Sequence, residues 1–263
     1  MAFPDVPRVF YRLSPLEEVI CQIQFPPVLR IDAEAPVGFQ EAVRSQYPFY
    51  ETRAASRIPV GLPPELAQIF STALPVGPKS HEFASRDRNW VVKLGSQFLA
   101  LTCRTYDRWE GFSARMSEAA AALVGQFSPA FYTRLGLRYR NVVRRSRLPE
   151  KNQLWEWNEL IQPWLTGPLG PPETANRVEE TRTTSVFALD DGAGRCILNH
   201  GLAVDAATQE QVFAIDADCF TEDQTEPGDA LHRLDTLHRQ AHLLFRWCIT
   251  ERLHDALGPQ PIG

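Results

Sequence analysis

The order of secondary-structure signals repeats along this chain, and that repeat restricts the possible folds more than any other feature. Hydrophobic periodicity predicts a strand, a helix, three strands and a long helix, and the same order then follows again. The two halves, 14–129 and 130–258, are nearly equal in length, which indicates an internal duplication. They share few identical residues, so an unrepeated α+β fold in one compact domain is the alternative. Both readings predict an α+β protein, with antiparallel sheets that are polar on one face and covered by long helices on the other.

The individual elements follow from alternation, helical spacing and turn residues. The first half is predicted to hold a strand at 16–25, a helix at 37–46, strands at 66–74, 81–94 and 97–104, and a helix capped by Asp107 and stopped at Gly125. The second half is predicted to hold a strand at 134–145, a helix at 153–165, strands at 178–189, 195–204 and 210–220, and a helix at 229–257 capped by Thr225 or Asp229.

Composition and charge exclude several classes of protein. The 263 residues are 44% hydrophobic and 22% charged, as in a globular protein, and the net charge of -5 argues against a generally basic nucleic-acid binder. The first 16 residues hold no signal-peptide core and no uncharged run is long enough to cross a bilayer, so we expect a cytoplasmic protein. The cysteines are odd in number, dispersed and in phase with core positions, which predicts buried, reduced thiols: Cys21, Cys103, Cys196, Cys219 and Cys248.

Two segments carry a family resemblance. They are LEEVICQIQF at 16–25 and RLGLRYRNVV at 134–143, in which GLRYRN is the most specific part. Together with the chain length and the helical C-terminus, they resemble a sporadically distributed family of uncharacterised prokaryotic proteins. The resemblance implies an accessory gene that moves between genomes, as defence-associated genes do. It implies no activity, cofactor or functional residue.

Four arginines are predicted to share one face of the strand at 134–145. They are Arg134, Arg138, Arg140 and Arg144. Such a row does not face a dry core without partners, and Glu179 on another predicted strand is one candidate partner. The row is therefore either a solvated face with cross-strand ion pairs, or a site for an anionic partner such as phosphate, a nucleic-acid backbone or an acidic peptide.

The predicted C-terminal helix carries two further candidate sites. His238 and His242 stand four residues apart, as two zinc ligands on a helix do, but Arg239 occupies the place of a general base. We therefore expect core-edge histidines and no metal. Leu243 and Trp247 lie opposite the core stripe, so either other parts of the chain cover them or they form a partner or dimer interface.

A third aromatic group, Trp155, Trp157 and Trp164, is expected to form a satellite core. The alternative is the floor of a ligand or base-stacking pocket.

No common catalytic motif occurs in the sequence, which leaves enzymatic activity undecided, with a non-enzymatic protein favoured. The sequence favours a binding module or adaptor for a macromolecular partner in a prokaryotic accessory or defence system, with no cofactor. We expect a protein partner or a homodimer, and no membrane contact. One alternative is nucleic-acid or nucleotide binding through the arginine face. Another is an enzyme with a dispersed site for a phosphorylated small molecule.

Overall fold

A computed structural model describes residues 3–54, 79–189 and 192–261. Its strands are β1 (Val9–Tyr11), β2 (Leu16–Gln24), β3 (Phe49–Ala54), β4 (Lys79–Ala84), β5 (Trp90–Gly95), β6 (Phe98–Cys103), β7 (Arg134–Arg144), β8 (Thr183–Ala188), β9 (Arg195–Val204), β10 (Gln211–Thr221) and β11 (Pro259–Pro261). Its α-helices are α1 (Arg30–Ala33), α2 (Val37–Val43), α3 (Trp109–Phe127), α4 (Trp157–Leu160), α5 (Pro163–Thr166), α6 (Pro172–Ala175), α7 (Ala230–Cys248) and α8 (Glu251–Ala256). The α+β class is confirmed.

The chain divides into two compact units that do not follow a single cut. Unit 1 comprises 1–20, 136–223 and 232–263, and unit 2 comprises 21–135 and 224–231. Strands β2 and β7 each contribute residues to both units. The division therefore differs from the predicted lobes in giving the first 20 residues to the unit that holds most of the second half.

Unit 2 is a sheet with helices packed on one face. Its strands follow the order β3-β4-β5-β6-β2, with antiparallel pairing from β3 through β6. One face of α3 is buried, as the predicted stripe requires, and α3 contacts α2 and β6. The core is closed by aromatic packing such as Phe39 on Phe83, whose ring centroids are 5.4 Å apart.

Unit 1 has a comparable arrangement. Its strands follow the order β2-β7-β10-β9-β8, and β8, β9 and β10 form an antiparallel meander. Alternation on β10 buries Phe213, Ile215 and Ala217 on one face, while Asp216 and Asp218 on the other face stay partly exposed. The β7 residue Tyr139 lies on the buried side, where its hydroxyl is 2.6 Å from His238 Nδ1 on α7. Helix α7 therefore covers one face of this sheet.

The two units share a similar arrangement of their described strands. In each unit three consecutive strands form a meander, and the last of them neighbours the strand that begins that half: β6 beside β2, and β10 beside β7. Unit 2 contains one more strand, β3, which was not predicted. Similar strand order is what a duplication requires, but a duplication is not demonstrated by it and stays a prediction.

Two predicted strands have different bounds in the structure. The strand predicted at 81–94 is interrupted, because Asp87 accepts hydrogen bonds from Ser85 Oγ and the Asn89 N–H and Arg88 adopts a positive φ of 55°. These bonds build a turn between β4 and β5. The strand predicted at 178–189 is shorter, since β8 begins at Thr183. The strand predicted at 66–74 lies outside the described residues.

Three predicted helices also differ. The helix at 153–165 is wrong as one element, because Ile161 and Gln162 are extended before Pro163, and α4 and α5 are separate turns. Helix α3 is preceded by Arg108 rather than capped by Asp107, and it continues past Gly125 to Phe127, where Ser128 with φ 45° ends it.

The predicted helix at 229–257 is broken at Thr250, where the chain starts α8. Of the proposed caps for this helix, Thr225 forms an isolated bridge to Tyr132 and Asp229 ends a 3-10 turn. Over the described ranges, no helix is both long and apolar enough to cross a bilayer.

Candidate functional site

One face of the unit 1 sheet is turned away from α7 and carries polar and exposed side chains. We call this the open face, and it comprises Arg138, Arg140, Asp216, Asp218, Ile197, Asn199, Thr184 and Val186. Strand register aligns these residues in rows across β10, β9 and β8, with Asp216, Asn199 and Thr184 in one row and Asp218, Ile197 and Val186 in the next. The open face therefore mixes both charges with apolar side chains.

Arg138 is held by a bidentate ion pair on this face. Its Nε donates to Asp216 Oδ1 at 2.7 Å and its Nη2 donates to Asp216 Oδ2 at 2.5 Å. The hydrogen bonds to Asp216 raise the pKa of Arg138, and the charge of Asp218 adds to that effect. A guanidinium in this geometry has its donor fork already occupied by a carboxylate.

Arg144 lies between two carboxylates at the end of β7. It donates to Glu17 and, at 2.6 Å, to Asp205 Oδ2, and only 11% of its side chain is exposed. Burial acts to lower the pKa of Arg144, but the hydrogen bonds to Asp205 and Glu17 more than offset it, so the pKa is raised. Asp205 accepts hydrogen bonds from Arg144 and from two backbone N–H groups, and these bonds lower the pKa of its carboxyl group to about 2.

Arg140 has looser surroundings. Its nearest carboxylate oxygens belong to Glu18 at 3.7 Å and Glu17 at 3.9 Å, and half of its side chain is exposed. Arg138, Arg140 and Arg144 thus face carboxylates from β2, β10 and the β9–β10 turn. Along this part of β7 the positive charges are balanced by acidic partners within unit 1.

The remaining two members of the predicted charged site are Arg134 and Glu179. Arg134 belongs to unit 2, where its positive charge acts to lower the pKa of Cys21. Glu179 is exposed and precedes β8 rather than lying on it, and its pairing with the arginine row stays a prediction. The actual acidic partners, among them Asp205 and Asp216, were missed by the sequence analysis. The alternation of β10 was a usable signal for Asp216, but nothing local marks Asp205.

The Leu243 and Trp247 pair is covered by other parts of unit 1. Leu243 is 2% exposed, so its assignment to a partner interface is wrong. Trp247 is half-buried, and its ring packs on Phe3, Trp164 and Phe187 with centroid distances of 5.8, 5.3 and 5.8 Å. Aromatic residues of the same chain therefore pack on the surface that was predicted to contact a partner.

The two helical histidines have separate polar contacts. The Nδ1 atom of His238 is hydrogen-bonded to the Tyr139 hydroxyl. Burial lowers the pKa of His242, and a hydrogen bond with the backbone of Pro7 acts in the opposite direction. In the described part of the chain, no cluster of three or more metal-ligating side chains occurs.

The three tryptophans do not converge. Trp157 is buried against Phe213, while Arg252 lies over the ring of Trp155 and Trp164 packs on Trp247.

All five cysteines are buried and free, as predicted. Burial raises the pKa of Cys21 to about 12 and that of Cys103 to about 11, so these sulfurs are protonated thiols. Cys196 and Cys219 lie directly opposite each other on β9 and β10, with their Sγ atoms 2.6 Å apart.

A shallow recess of about 190 Å³ lies beside Arg144, lined by Leu13, Val142 and Leu148 and edged by Arg147. It is smaller than the ~300–1,000 Å³ typical of sites for drug-sized ligands.

Comparisons with known proteins add no identity. No protein-family model and no curated protein matches the chain. Among solved structures, a chain described as "KH domains" aligns with 98% of this chain and 91% of its own length, at 10% identity and a TM-score of 0.23. Because that TM-score is below 0.5, the likeness carries no argument about fold or function.

Proposed function

We propose that this chain is a non-enzymatic binding module that contacts a protein partner through the open face of unit 1. The single observation that carries the proposal is the pairing of Arg138, Arg140 and Arg144 with carboxylates of the same unit. A site for a polyanion needs positive charge that is available to phosphates. Charges that are already paired within the unit, beside apolar side chains, are instead compatible with a protein interface that has an apolar core and a polar rim.

The composition of the open face supports a protein over a nucleic acid. Val186 is 62% exposed and stands in register with Ile197, so apolar surface lies beside the Arg138–Asp216 pair. Thr184 donates to Asn199 at 2.7 Å, which orders a polar row next to it. A partner with both apolar and polar groups would match this surface better than a phosphate backbone.

The setting of the proposed function rests on the sequence. The resemblance to a sporadically distributed prokaryotic family favours an accessory or defence system, and we propose that the module acts in the cytoplasm. Both are proposals about where the module acts.

Native mass spectrometry of the untagged protein, purified gently from its own host, tests the proposal. We expect a protein to co-purify at fixed stoichiometry, and the Arg138→Ala/Arg140→Ala double variant to lose it. Arg233→Ala is the matched control, because Arg233 is partly exposed on α7, which covers the opposite face of the sheet. A partner retained by the double variant would contradict the assignment of the surface.

Binding measurements with nucleic acid test the main alternative, which is nucleic-acid binding through the arginine face. Fluorescence anisotropy with a labelled single-stranded and a labelled duplex oligonucleotide should show no salt-sensitive binding by the wild-type protein. The Asp216→Asn variant, which removes the negative charge beside Arg138, should bind more tightly than wild type if free arginine is what a polyanion needs. Tight, strongly salt-dependent binding by the wild-type protein would favour the nucleic-acid function instead.

A further inference from the structure

Strand β8 stands at the end of the strand order of unit 1. It pairs with β9 from Thr183 opposite His200 to Ala188 opposite Arg195, and the strand order of the described residues ends there. Four of its six residues are exposed, including Val186 at 62%. The backbone groups on the side of β8 away from β9 are therefore positioned to accept a further strand.

The composition of β8 is unusual for an exposed edge. Its sequence, TTSVFA, holds no charged residue and no proline, which are the usual means of preventing edge pairing. Strand β3, which ends the strand order of unit 2, carries Glu51 and Arg53 in an ion pair of 3.7 Å. The β3 edge carries charges within the strand, whereas the nearest charged residues before β8, Glu180 and Arg182, precede its first residue.

We propose that β8 is the contact through which two copies of this chain associate, by antiparallel pairing of β8 with its own counterpart about a twofold axis. Symmetric pairing requires a strand that is complementary to itself. With the axis at Val186, the two Val186 side chains meet on the open face, Thr184 stands opposite Ala188, and Ser185 stands opposite Phe187. Every one of these pairs lacks charge, so no like charges oppose each other.

The absence of charge selects a second copy as the occupant. A partner strand with charged side chains would find no counter-charge along β8, while an uncharged strand avoids that cost. The chain itself supplies such a strand in the same extended conformation, so pairing requires no refolding. One pair of six-residue strands buries less than the ~1,200 Å² typical of stable interfaces, so the dimer should form reversibly with rising concentration.

Sedimentation equilibrium of the purified full chain over a wide concentration range tests this inference without any other partner. We expect a monomer–dimer equilibrium for the wild-type protein. Val186→Lys should weaken dimerisation at least ~10-fold, because the axis would bring two ammonium groups together. Val204→Lys is the matched control, since Val204 is a valine on the same sheet that is 50% exposed but lies on β9.

A second measurement guards against a variant that fails to fold. Thr184→Lys places the charge at another exposed position of β8 and should weaken the dimer in the same direction, and circular dichroism should match wild type for each variant. A wild-type protein that stays monomeric at every concentration would overturn the inference, and would leave the edge to an extended segment of another protein. Equal dimerisation by the Val186→Lys and wild-type proteins, or equal loss with Val204→Lys, would overturn it as well.

Discussion

Replacing Thr250 by valine should destabilise unit 1 by about 2 kcal/mol, because the hydroxyl group of this residue makes two hydrogen bonds that valine cannot make. Thr250 Oγ1 accepts a hydrogen bond from the Leu253 N–H at 3.3 Å, which caps α8. The same hydroxyl donates to the carbonyl of Glu159 in α4 at 2.6 Å. Valine keeps the shape and the β-branch of threonine but has no hydroxyl.

The magnitude follows from the two lost bonds. Removing an N-cap side chain costs about 1 kcal/mol, and leaving a part-buried carbonyl without its donor costs about 1 kcal/mol more. Thr250→Ser is the matched control, since it keeps the hydroxyl and loses one methyl group, at a cost of about 0.8 kcal/mol or less.

Urea unfolding followed by circular dichroism measures the effect. We expect the midpoint of Thr250→Val to fall while the slope stays that of wild type, and Thr250→Ser to lie close to wild type. The reasoning would be refuted by a Thr250→Val protein within ~0.5 kcal/mol of wild type, a difference too small for the loss of a cap. A Thr250→Ser protein as unstable as Thr250→Val would refute it too, because the methyl group would then be responsible.

Three other predictions address the core and the charges of unit 1. Leu243→Ala should cost about 2–5 kcal/mol in the free energy of unfolding and leave the oligomeric state unchanged by light scattering, because Leu243 is a core residue; a small cost would contradict its burial. Treatment with diamide should join Cys196 to Cys219, seen as the loss of two hydrogens in the intact mass, and Cys196→Ser should abolish it; a reaction in that variant would point to another pair. The hydrogen bond from Arg144 holds the pKa of Asp205 at about 2, below its ordinary 3.8, so the carboxylate stabilises the fold above about pH 4 and loses this effect as the pH falls towards 2. The melting temperatures of wild type and Asp205→Asn should therefore differ at pH 7, and the difference should shrink steadily as the pH is lowered from about 4 towards 2; a difference that stays constant would contradict the prediction.

The sequence alone predicted those structural features that depend only on local backbone chemistry. Alternation on β7 and β10 gave the strand phases, because successive side chains of a strand must point to opposite faces. Helix α3 followed from its apolar stripe. The break between α4 and α5 also has a local cause, since Pro163 disfavours the helical region for the residue before it, and this proline is visible in the sequence.

The break before α8 needed the fold. Residues 249–250 lie inside a helical hydrophobic pattern, and the pattern alone continues the helix. The Thr250 N–H instead bonds to the Leu160 carbonyl at 3.0 Å, and its hydroxyl bonds to Glu159. A partner 90 residues away along the chain outweighed the local preference, and no periodicity reports such a partner.

The same division holds at the candidate site. The sequence by itself determined that Arg138, Arg140 and Arg144 share a face, because that depends on the two-residue period of a strand. Only the tertiary structure decided that this face is balanced in charge, because Asp216 and Asp205 reach it through strand order and a turn between strands. Which face a side chain occupies is a property of the local backbone, but which charges meet there depends on register between segments that are distant in sequence.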